Sequence, residues 1–457
     1  MIRAKMQSLL KGKRLMKMAE YQKTHMQIPW HDYSAGDTAK PARQAALSEK
    51  ASIIGRVGTI MLSCGTTAWS TRNAMVQVAK ALDVACVAEI GIITLNFTCF
   101  SEHESYTQAI SLEGIGVNID KLRKIEKYVS KFSTEYADAG IEENHRMLDL
   151  ISNAPHLYRT QVLALAAAFA CAAFTFNLGG GLAQIICVFI AAGCGNLMRV
   201  LSNKRKLSAM IGVTLAAVTS CLVYAGAALA AKHLYPEAVS FGAGFIGSVL
   251  FLVPGFPFIT SVLDFGKLDM RSGIERLMYS LIVMAFATGF CWAAALAFGL
   301  DPAVGNGIPM SDGLRIVIRL AASFIGVVGF SLIFNSPWKI MRYAAVIGAF
   351  ANTLRLELVD RTGISAIICA FIGAFVVGLL AGVITKKTKY PGVGITIPAV
   401  VVSVPGLFMY RAIYYLGTGQ LSDGISSFAK AAAIVFAIGL GILFARYLTD
   451  SKFRYQD

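Results

Sequence analysis

Two Val-Pro-Gly triplets, 151 residues apart, are the stretches of this 457-residue chain whose residue types and spacing could bind a small charged solute. They occupy residues 253–255 and 404–406, each inside a long apolar run. Proline removes a backbone N–H group and glycine tolerates unusual dihedral angles, so each triplet should interrupt a helix. Amides freed at the start of a half-helix attract an anion, and freed carbonyl groups attract a cation. A zwitterion such as an amino acid offers one group to each.

Two ionisable side chains follow the triplets closely in sequence. Asp264, after the first triplet, is the best-placed carboxylate for coupling to protons. The alternative is that it pairs with Lys267 or Arg271 at the membrane surface. Arg411, after the second triplet, either binds the carboxylate of a substrate or extends to the outer interface. The sequence leaves both alternatives open.

Two asparagines, Asn196 and Asn352, either line the same pathway or only join helices, as membrane asparagines commonly do. A kink that serves packing alone is likewise the alternative to a binding role for the triplets. The residues predicted to form the substrate or ion pathway are Pro254, Gly255, Pro257, Asp264, Asn196, Asn352, Pro398, Pro405, Gly406 and Arg411.

Two clusters in the first third of the chain could supply a nucleophile and a base: His-Glu-Ser at residues 103–105 and Ser-Cys-Gly-Thr-Thr at residues 63–67. Neither cluster has the spacing of a metal site, and the sequence contains no P-loop or nucleophile elbow. A lone histidine beside carboxylates is usually a solvated surface residue. We therefore predict no catalytic residues, no metal site and no cofactor.

The composition is that of a membrane protein, with 56% hydrophobic residues, 42 glycines and a mean hydropathy of +0.60. Charged residues are frequent up to about residue 160 and are confined to short gaps afterwards, which predicts a soluble domain followed by a membrane domain. The net charge of +15 reflects loop lysines and arginines, so nucleic acid is excluded as a partner. The nine cysteines form no CxxC pair and are predicted to be small packing residues.

The soluble part divides into a lead-in and a folded domain. Residues 1–47 are predicted to be basic and partly disordered, without the apolar segment of a cleaved signal peptide, so the following domain should stay in the cytoplasm. Residues 48–160 should form a small α/β domain, because helical and strand periodicities alternate along them. The predicted helices are 48–64, 70–82, 120–136 and 142–151, and the predicted strands are 85–91, 93–100 and 105–112.

Ten apolar runs follow, each long enough, at roughly 20 residues, to cross a bilayer. Loop lysines and arginines are more numerous on the side that would hold the N-terminus, so both termini are predicted to be cytoplasmic. The predicted spans are 161–178, 181–201, 208–230, 239–262, 277–300, 314–334, 338–355, 363–384, 393–412 and 427–447.

The spans repeat as two sets of five. Asn196 and Arg199 close the second span as Asn352 and Arg355 close the seventh, and the triplets interrupt the fourth and ninth. Because five is odd, the second set must enter the membrane from the opposite face. The predicted fold is an α-helical polytopic membrane protein with ten transmembrane helices in a 5+5 inverted repeat, preceded by a small cytoplasmic α/β domain. Such a repeat favours alternating access about a site between the two breaks. The two repeats are assigned to residues 161–300 and 314–457.

From about residue 48 onward, the chain resembles the threonine/serine exporter family. In some bacteria two separate chains supply the two halves, and such a pair is associated with the export of succinate, a dicarboxylate; here the halves are fused. The residues that carry the resemblance are Gly65, the Ala-Lys-Ala-Leu-Asp sequence at 79–83, the Leu-Val-Pro-Gly-Phe-Pro segment at 252–257 with the following Asp264, and Tyr390-Pro391, Ile397-Pro398 and the second triplet.

The resemblance implies a secondary exporter of the bacterial inner membrane, with threonine and serine as substrates and the proton gradient as energy source. Its partners would be a small-molecule substrate, protons and the lipid bilayer, and homo-oligomerisation is left open. A dicarboxylate exporter is the alternative within the family, and it should need two cationic contacts. A membrane-anchored enzyme or sensor that acts through the cytoplasmic domain is the alternative from another class.

Overall fold

The computed structural model describes residues 28, 30–33, 40–234, 242–299 and 307–455, so most of the predicted lead-in, residues 1–47, lies outside the described part of the chain. The chain divides into two compact units. Unit 1 comprises Met1–Ser63, Ser70–Ile115 and Ile125–Asn153, and unit 2 comprises Cys64–Trp69, Gly116–Lys124 and Ala154–Asp457.

The N-terminal elements comprise helices and a three-stranded antiparallel sheet of order β1-β2-β3. Their ends lie close to those predicted from periodicity, because apolar spacing changes clearly between helix and strand in this part of the sequence. A π-helical turn, Phe132–Tyr136, continues the third helix. The elements are α1 (Leu47–Ser63), α2 (Ala68–Ala81), β1 (Ala85–Ile90), β2 (Thr94–Phe100), β3 (Ser105–Ser111), α3 (Ile119–Lys131) and α4 (Ile141–Ser152).

Helix α1 packs on one face of the sheet. Alternate residues of β2, namely Leu95, Phe97 and Cys99, are buried, as the two-residue period of a strand requires. Two glycines of α1 let the sheet approach closely: a Cβ atom on Gly55 would lie 2.6 Å from Cζ of Phe97, and one on Gly58 would lie 2.8 Å from Cδ2 of Leu95. This packing forms the core of unit 1.

From residue 160 onward, every secondary-structure element in the described part of unit 2 is a helix, including one short 3₁₀ turn at Leu250–Leu252. The helices are α5 (Thr160–Asn177), α6 (Leu182–Lys204), α7 (Ala209–Leu234), α8 (Gly242–Gly247), α9 (Gly255–Phe265), α10 (Met270–Phe298), α11 (Asp312–Ile333), α12 (Trp338–Thr362), α13 (Ala366–Thr388), α14 (Gly392–Val401), α15 (Gly406–Gly417), α16 (Leu421–Thr449) and α17 (Ser451–Arg454).

Within the described residues, seven of these helices are long and apolar enough to cross a membrane: α5, α6, α7, α10, α11, α13 and α16. Two bent pairs raise the number to nine if each pair is one span. The first pair, formed by residues 244–252 with α9, bends by 59°, and the second, α14 with α15, bends by 53°. The chain is therefore a polytopic membrane protein.

The seventh predicted span, residues 338–355, corresponds to α12, which is long enough at 25 residues but is not among the apolar helices. Its last turns carry charged side chains that pair with the neighbouring helix α11. Arg319 of α11 contacts Glu357 at 2.7 Å and Asp360 at 2.6 Å. Composition alone thus supports up to nine spans within the described residues. Helix α12 is less apolar than these spans because it carries charged residues, which ion pairs with α11 stabilise.

The helices of unit 2 follow the same order before and after residue 300. The last helix of each half, α10 and α16, has 29 residues. Helix α9 packs on α10 and also on α16, while α15 packs on α16 and also on α10. Each half-helix that follows a break therefore contacts the last helix of both halves.

Alanine and cysteine form much of the apolar core of unit 2, which allows close helix packing. From residue 160 onward, five of the six cysteines are buried, as expected of packing residues, and Cys194 is exposed on the surface of α6. All nine cysteines are free. The buried cysteines from residue 160 onward are Cys171, Cys187, Cys221, Cys291 and Cys369.

Candidate functional site

The two Val-Pro-Gly triplets adopt the same backbone conformation. Pro254 has φ −78° and ψ 57°, and Pro405 has φ −81° and ψ 55°. In each triplet the glycine N–H donates to the valine carbonyl, at 2.8 Å in the first and 2.9 Å in the second. These are inverse γ-turns, and each ends one helix segment and starts the next. The predicted interruption of the helices is confirmed at both positions.

The two breaks also contact each other. A Cβ atom on Gly255 would lie 2.9 Å from Cγ2 of Val401, in the second bent pair. A Cβ atom on Gly406 would lie 2.6 Å from Cδ2 of Leu250, in the first. Glycine is therefore needed at both positions because the opposite break approaches so closely. The contact is reciprocal, as two related halves would make it.

The γ-turns satisfy the glycine amides, so the free donors are the amides just after them. Within the described residues, the backbone N–H groups of Phe256, Leu407 and Phe408 have no hydrogen-bond acceptor. Pro257 removes one further donor from the first half-helix. The start of α15 therefore offers two free amides to an anion, and the start of α9 offers one.

A cavity of about 120 Å³ lies between the breaks. A single water needs about 10–15 Å³ by this measure, so the cavity can hold several waters or one small solute. Its wall is mostly apolar, and it includes both glycines of the breaks. The residues that line it are Phe174, Asn177, Leu178, Leu250, Val253, Gly255, Phe330, Asn352, Arg355, Leu356, Ala366, Val401, Val402, Ser403, Val404, Pro405, Gly406, Leu407, Phe408 and Ile434.

Arg355 is the cation of this cavity wall. Its Nε and Nη2 donate to Oδ1 of Asn352 at 3.1 and 3.0 Å. The same oxygen accepts from the hydroxyl of Ser403 at 3.3 Å. In the described part of the chain, Arg355 forms no ion pair with a carboxylate. A partly buried guanidinium without a counter-ion favours the binding of an anion.

Asn177, the last residue of α5, places a hydrogen-bond acceptor in the same wall. Its Oδ1 atom is buried and has no partner among the described residues. Its Nδ2 lies 3.4 Å from Oγ of Ser323, which also accepts from Nδ2 of Asn352 at 2.8 Å. Ser323 thus connects Asn177 to the Asn352–Arg355 pair across three helices.

Four of the ten predicted pathway residues line the cavity, namely Gly255, Asn352, Pro405 and Gly406. Asn196 instead donates to the carbonyl of Leu163 at 2.7 Å, which joins α6 to α5. The other predicted residues outside the lining are Pro254, Pro257, Asp264, Pro398 and Arg411.

Asp264 is fully buried, and it does not pair with Lys267 or Arg271, which was one of the two alternatives that the sequence left open. Its partner is Arg276, one helix further on, with Nε 3.0 Å from Oδ2. The carboxylate also accepts from Ser272 Oγ at 2.8 Å and from the backbone N–H of Ala68 at 2.9 Å. In the described part of the chain, both carboxylate oxygens of Asp264 are thus occupied by contacts with other protein groups.

Arg276 extends the same network to the turn between α1 and α2, part of which belongs to unit 2. Its guanidinium donates to the carbonyl oxygens of Gly65 at 3.1 Å and Thr66 at 2.7 Å. Gly65 has φ +82°, a conformation that favours glycine. The Ser-Cys-Gly-Thr-Thr cluster therefore has a structural role, because its carbonyl groups hold a buried arginine.

The remaining feature considered for catalysis is His103, which is exposed in the loop between β2 and β3. Among the described residues, no group of three or more histidine, cysteine, aspartate or glutamate side chains is arranged to hold a metal ion.

Sequence reasoning missed Arg355 and Asn177 as lining residues. Arg355 was assigned to the end of a span, although the repeated Asn-x-x-Arg pattern could have identified it, because the two residues lie one helical turn apart on the same face. Asn177 carries no local signal, since its hydrogen-bond partner Ser323 lies 146 residues away in sequence.

Many membrane-length helices together with two matched helix breaks that share one small cavity are typical of a secondary transporter. Comparison with family models is consistent with this class: the ThrE model, for threonine/serine exporters, matches residues 52–299. A second model, "Threonine/Serine exporter, ThrE", matches residues 319–448. The chain belongs to the threonine/serine exporter family.

Individual relatives are distant but extensive in coverage. The chain is 22% identical to the "Probable threonine/serine exporter" of Mycobacterium tuberculosis, over 88% of this chain and 76% of that one. It is 20% identical to the "Threonine/serine exporter" of Corynebacterium glutamicum, over 87% and 81%. It is 22% identical to "Pheromone-regulated membrane protein 10" of Saccharomyces cerevisiae, over 64% and 75%. No solved structure matches the chain.

Proposed function

We propose that this protein is a secondary exporter of the small hydroxy amino acids threonine and serine in a bacterial inner membrane. The observation that carries the proposal is the cavity shared by the two helix breaks, because it places a small, largely apolar binding space between reciprocal glycine contacts. The names of the bacterial relatives support the substrate class.

Alternating access between two inverted repeats is the proposed mechanism. The matched bends of 59° and 53°, and the contacts of each half-helix with the last helix of both halves, support a 5+5 repeat. In this repeat α12 is the seventh span and brings the total to ten. Both termini and the N-terminal α/β domain are then cytoplasmic. An exchange of conformation between the halves would expose the cavity to each side in turn.

The proton gradient is the proposed driving force, because the sequence contains no P-loop for ATP. The described residues that line the cavity include no carboxylate and no histidine, so none of these side chains carries the proton. Asp264 is the buried carboxylate that proton coupling could use. Its contacts with Arg276, Ser272 and Ala68 favour a structural role instead.

Succinate export is the alternative within the family, and the cavity argues against it. A dicarboxylate brings two negative charges, and burying the second without a cation is costly. Arg355 is the one lysine or arginine in the described lining of the cavity, and Arg411 does not line it. An amino acid, with one carboxylate, matches the single positive charge of Arg355 better.

Release from proteoliposomes tests the proposal. Vesicles that contain the full-length chain are loaded with labelled L-threonine, L-serine or succinate, and release is measured with and without an imposed pH gradient. We expect release of threonine and serine that the gradient accelerates, and retention of succinate. Release of succinate with retention of both amino acids would overturn the proposal. Protein-free vesicles provide the leakage control.

A further inference from the structure

Two polar groups of opposite character in the cavity wall lack a matching partner. Arg355 keeps hydrogen-bond donors beyond the two used by Asn352, since a guanidinium carries five N–H groups. Oδ1 of Asn177 is a buried acceptor without a donor among the described residues. Leaving such groups unpaired is costly, so their position in a cavity points to a ligand that pairs with both.

We propose that Arg355 binds the carboxylate and Asn177 the ammonium group of one zwitterionic amino acid. This inference rests on the proposed function, since it assigns the residues that recognise the exported substrate. The guanidinium fork matches a carboxylate, and the amide oxygen accepts a hydrogen bond from an ammonium group. The free amides of Leu407 and Phe408, which also line the cavity, provide further donors for the carboxylate.

The hydrogen bonds behind these groups fix their positions. Asn352 accepts from Arg355 and donates to Ser323, which also contacts Asn177. The two binding groups are therefore linked through two intervening side chains on α11 and α12 rather than by flexible chain. A fixed pair of this kind selects for the spacing of the ligand's two charged groups.

The pairing also predicts discrimination. A carboxylate without an ammonium group would leave Asn177 unpaired, and an amine without a carboxylate would leave Arg355 unpaired. Sites built around buried polar groups reject ligands that lack the complementary group far better than apolar pockets reject a missing methyl group. The apolar remainder of the wall, including Phe174 and Phe330, leaves space for a small side chain only.

Three ligands separate the two contacts: L-threonine, 3-hydroxybutyrate, which lacks the ammonium group, and 1-amino-2-propanol, which lacks the carboxylate. Binding to the purified full-length chain is measured by thermal stabilisation over a range of ligand concentrations. We expect the wild type to bind threonine more tightly than either fragment. Arg355→Gln should weaken the binding of threonine and of 3-hydroxybutyrate by about tenfold or more, because a charge-assisted hydrogen bond to the carboxylate is lost. Asn177→Leu should weaken the binding of threonine by a similar factor and leave the binding of 3-hydroxybutyrate unchanged.

Two further variants keep the test decisive. Arg342→Gln makes the same chemical change at an exposed position of α12 that does not line the cavity, and it should bind as the wild type does. Arg355→Lys keeps the charge and should retain part of the affinity, which a loss of folding would not allow.

Unchanged threonine binding by Arg355→Gln, or equal losses of threonine and 3-hydroxybutyrate in Asn177→Leu, would overturn this inference. Such results together with threonine release by the wild type would leave the proposed function intact. Absence of threonine release by the wild type would overturn the proposed function, and the binding measurements would still decide the site. A wild type that none of the three ligands stabilises would overturn the inference as well.

Discussion

Asp264 and Arg276 form an ion pair of 3.0 Å in which both side chains are almost wholly shielded from solvent, at 0% and 2% exposure. A buried ion pair is stable only when hydrogen bonds satisfy its remaining donors and acceptors. Here Ser272 and Ala68 serve the carboxylate, and the carbonyl groups of Gly65 and Thr66 serve the guanidinium. The pair therefore joins α9 and α10 to the segment Cys64–Trp69 within unit 2.

Asp264→Asn should destabilise the protein, because it leaves Arg276 charged and buried without a counter-ion. Breaking such a pair costs about 3–5 kcal/mol of unfolding free energy. Thermal unfolding in detergent measures this loss. Replacing both residues, as in Asp264→Leu with Arg276→Met, should recover part of it, since apolar residues can substitute for a buried pair.

A proton-carrying role of Asp264 makes a different prediction. In that case Asp264→Asn would keep the wild-type melting temperature, and threonine release would no longer respond to a pH gradient. This outcome would contradict the structural role assigned here. Threonine release that falls only in proportion to the amount of folded protein would support the structural role of Asp264.

His145 should make unit 1 less stable at acid pH. The side chain is fully buried, and desolvation together with nearby Arg56 lowers its pKa to about 4. Nε2 lies 3.0 Å from the hydroxyl of Ser52, and that hydroxyl donates to the carbonyl of Glu49, so the neutral ring is satisfied. Protonation would place a second positive charge beside Arg56.

The direction of this change in stability follows from the pKa values of His145 in the folded and the unfolded chain. The unfolded chain takes up the proton near pH 6.5 and the folded chain near pH 4, so stability falls as the pH drops between these values, by about 3 kcal/mol in total. His31, whose pKa is raised by Asp149 and Glu142, acts in the opposite sense, with its contribution lost as the pH rises through its folded pKa. Opening free energies of α4, from hydrogen exchange corrected for intrinsic rates, measure the difference between wild type and His145→Gln. Equal pH dependence in both would contradict the assignment.

Membrane orientation can be tested by cysteine labelling from outside intact cells, in a background where exposed Cys194 is replaced by serine. The proposed topology places Lys204 and Lys387 inside and Gln420, between α15 and α16, outside. Cysteine at position 420 should react with an impermeant reagent, and cysteines at 204 and 387 should react only after permeabilisation. Labelling at 204 in intact cells would reverse the proposed orientation.

Periodicity and composition predicted the local structure well. The three strands, the N-terminal helices and the two breaks occur where apolar spacing, proline and glycine placed them, because these signals act within a few residues. The span predicted at residues 338–355 is not supported by the composition of α12 as a whole, because this helix carries charged residues that pair with Arg319 on another helix.

The side-chain partners of the site were harder to predict, because they depend on packing between distant segments. Lys267 and Arg271 are nearest to Asp264 in sequence, yet they contact the carbonyl of Tyr455 and the carboxylate of Glu275. The arginine that does pair with Asp264 lies on the next helix. Hydrogen-bond partners of this kind follow from the fold and not from spacing along the chain.

The two helix breaks are proposed to bind the substrate together, and alanine at Gly255 and Gly406 tests this proposal. A methyl group at either position would push the breaks apart, because it would lie 2.9 Å from Cγ2 of Val401 or 2.6 Å from Cδ2 of Leu250, closer than two carbon atoms can approach. Overpacking of this kind costs about 1–3 kcal/mol, which a folded membrane protein can tolerate. Gly289→Ala in α10 is the matched control, since its Cβ would meet open space and alanine favours a helix by about 1 kcal/mol.

The decisive measurement is threonine efflux from proteoliposomes, set beside the melting temperature in detergent, for these three variants and the wild type. We expect Gly255→Ala and Gly406→Ala to remain folded at the assay temperature and to lose efflux to a similar extent. Gly289→Ala should melt no lower than the wild type and keep full efflux. Full efflux from either Gly255→Ala or Gly406→Ala would contradict the claim that its break binds the substrate.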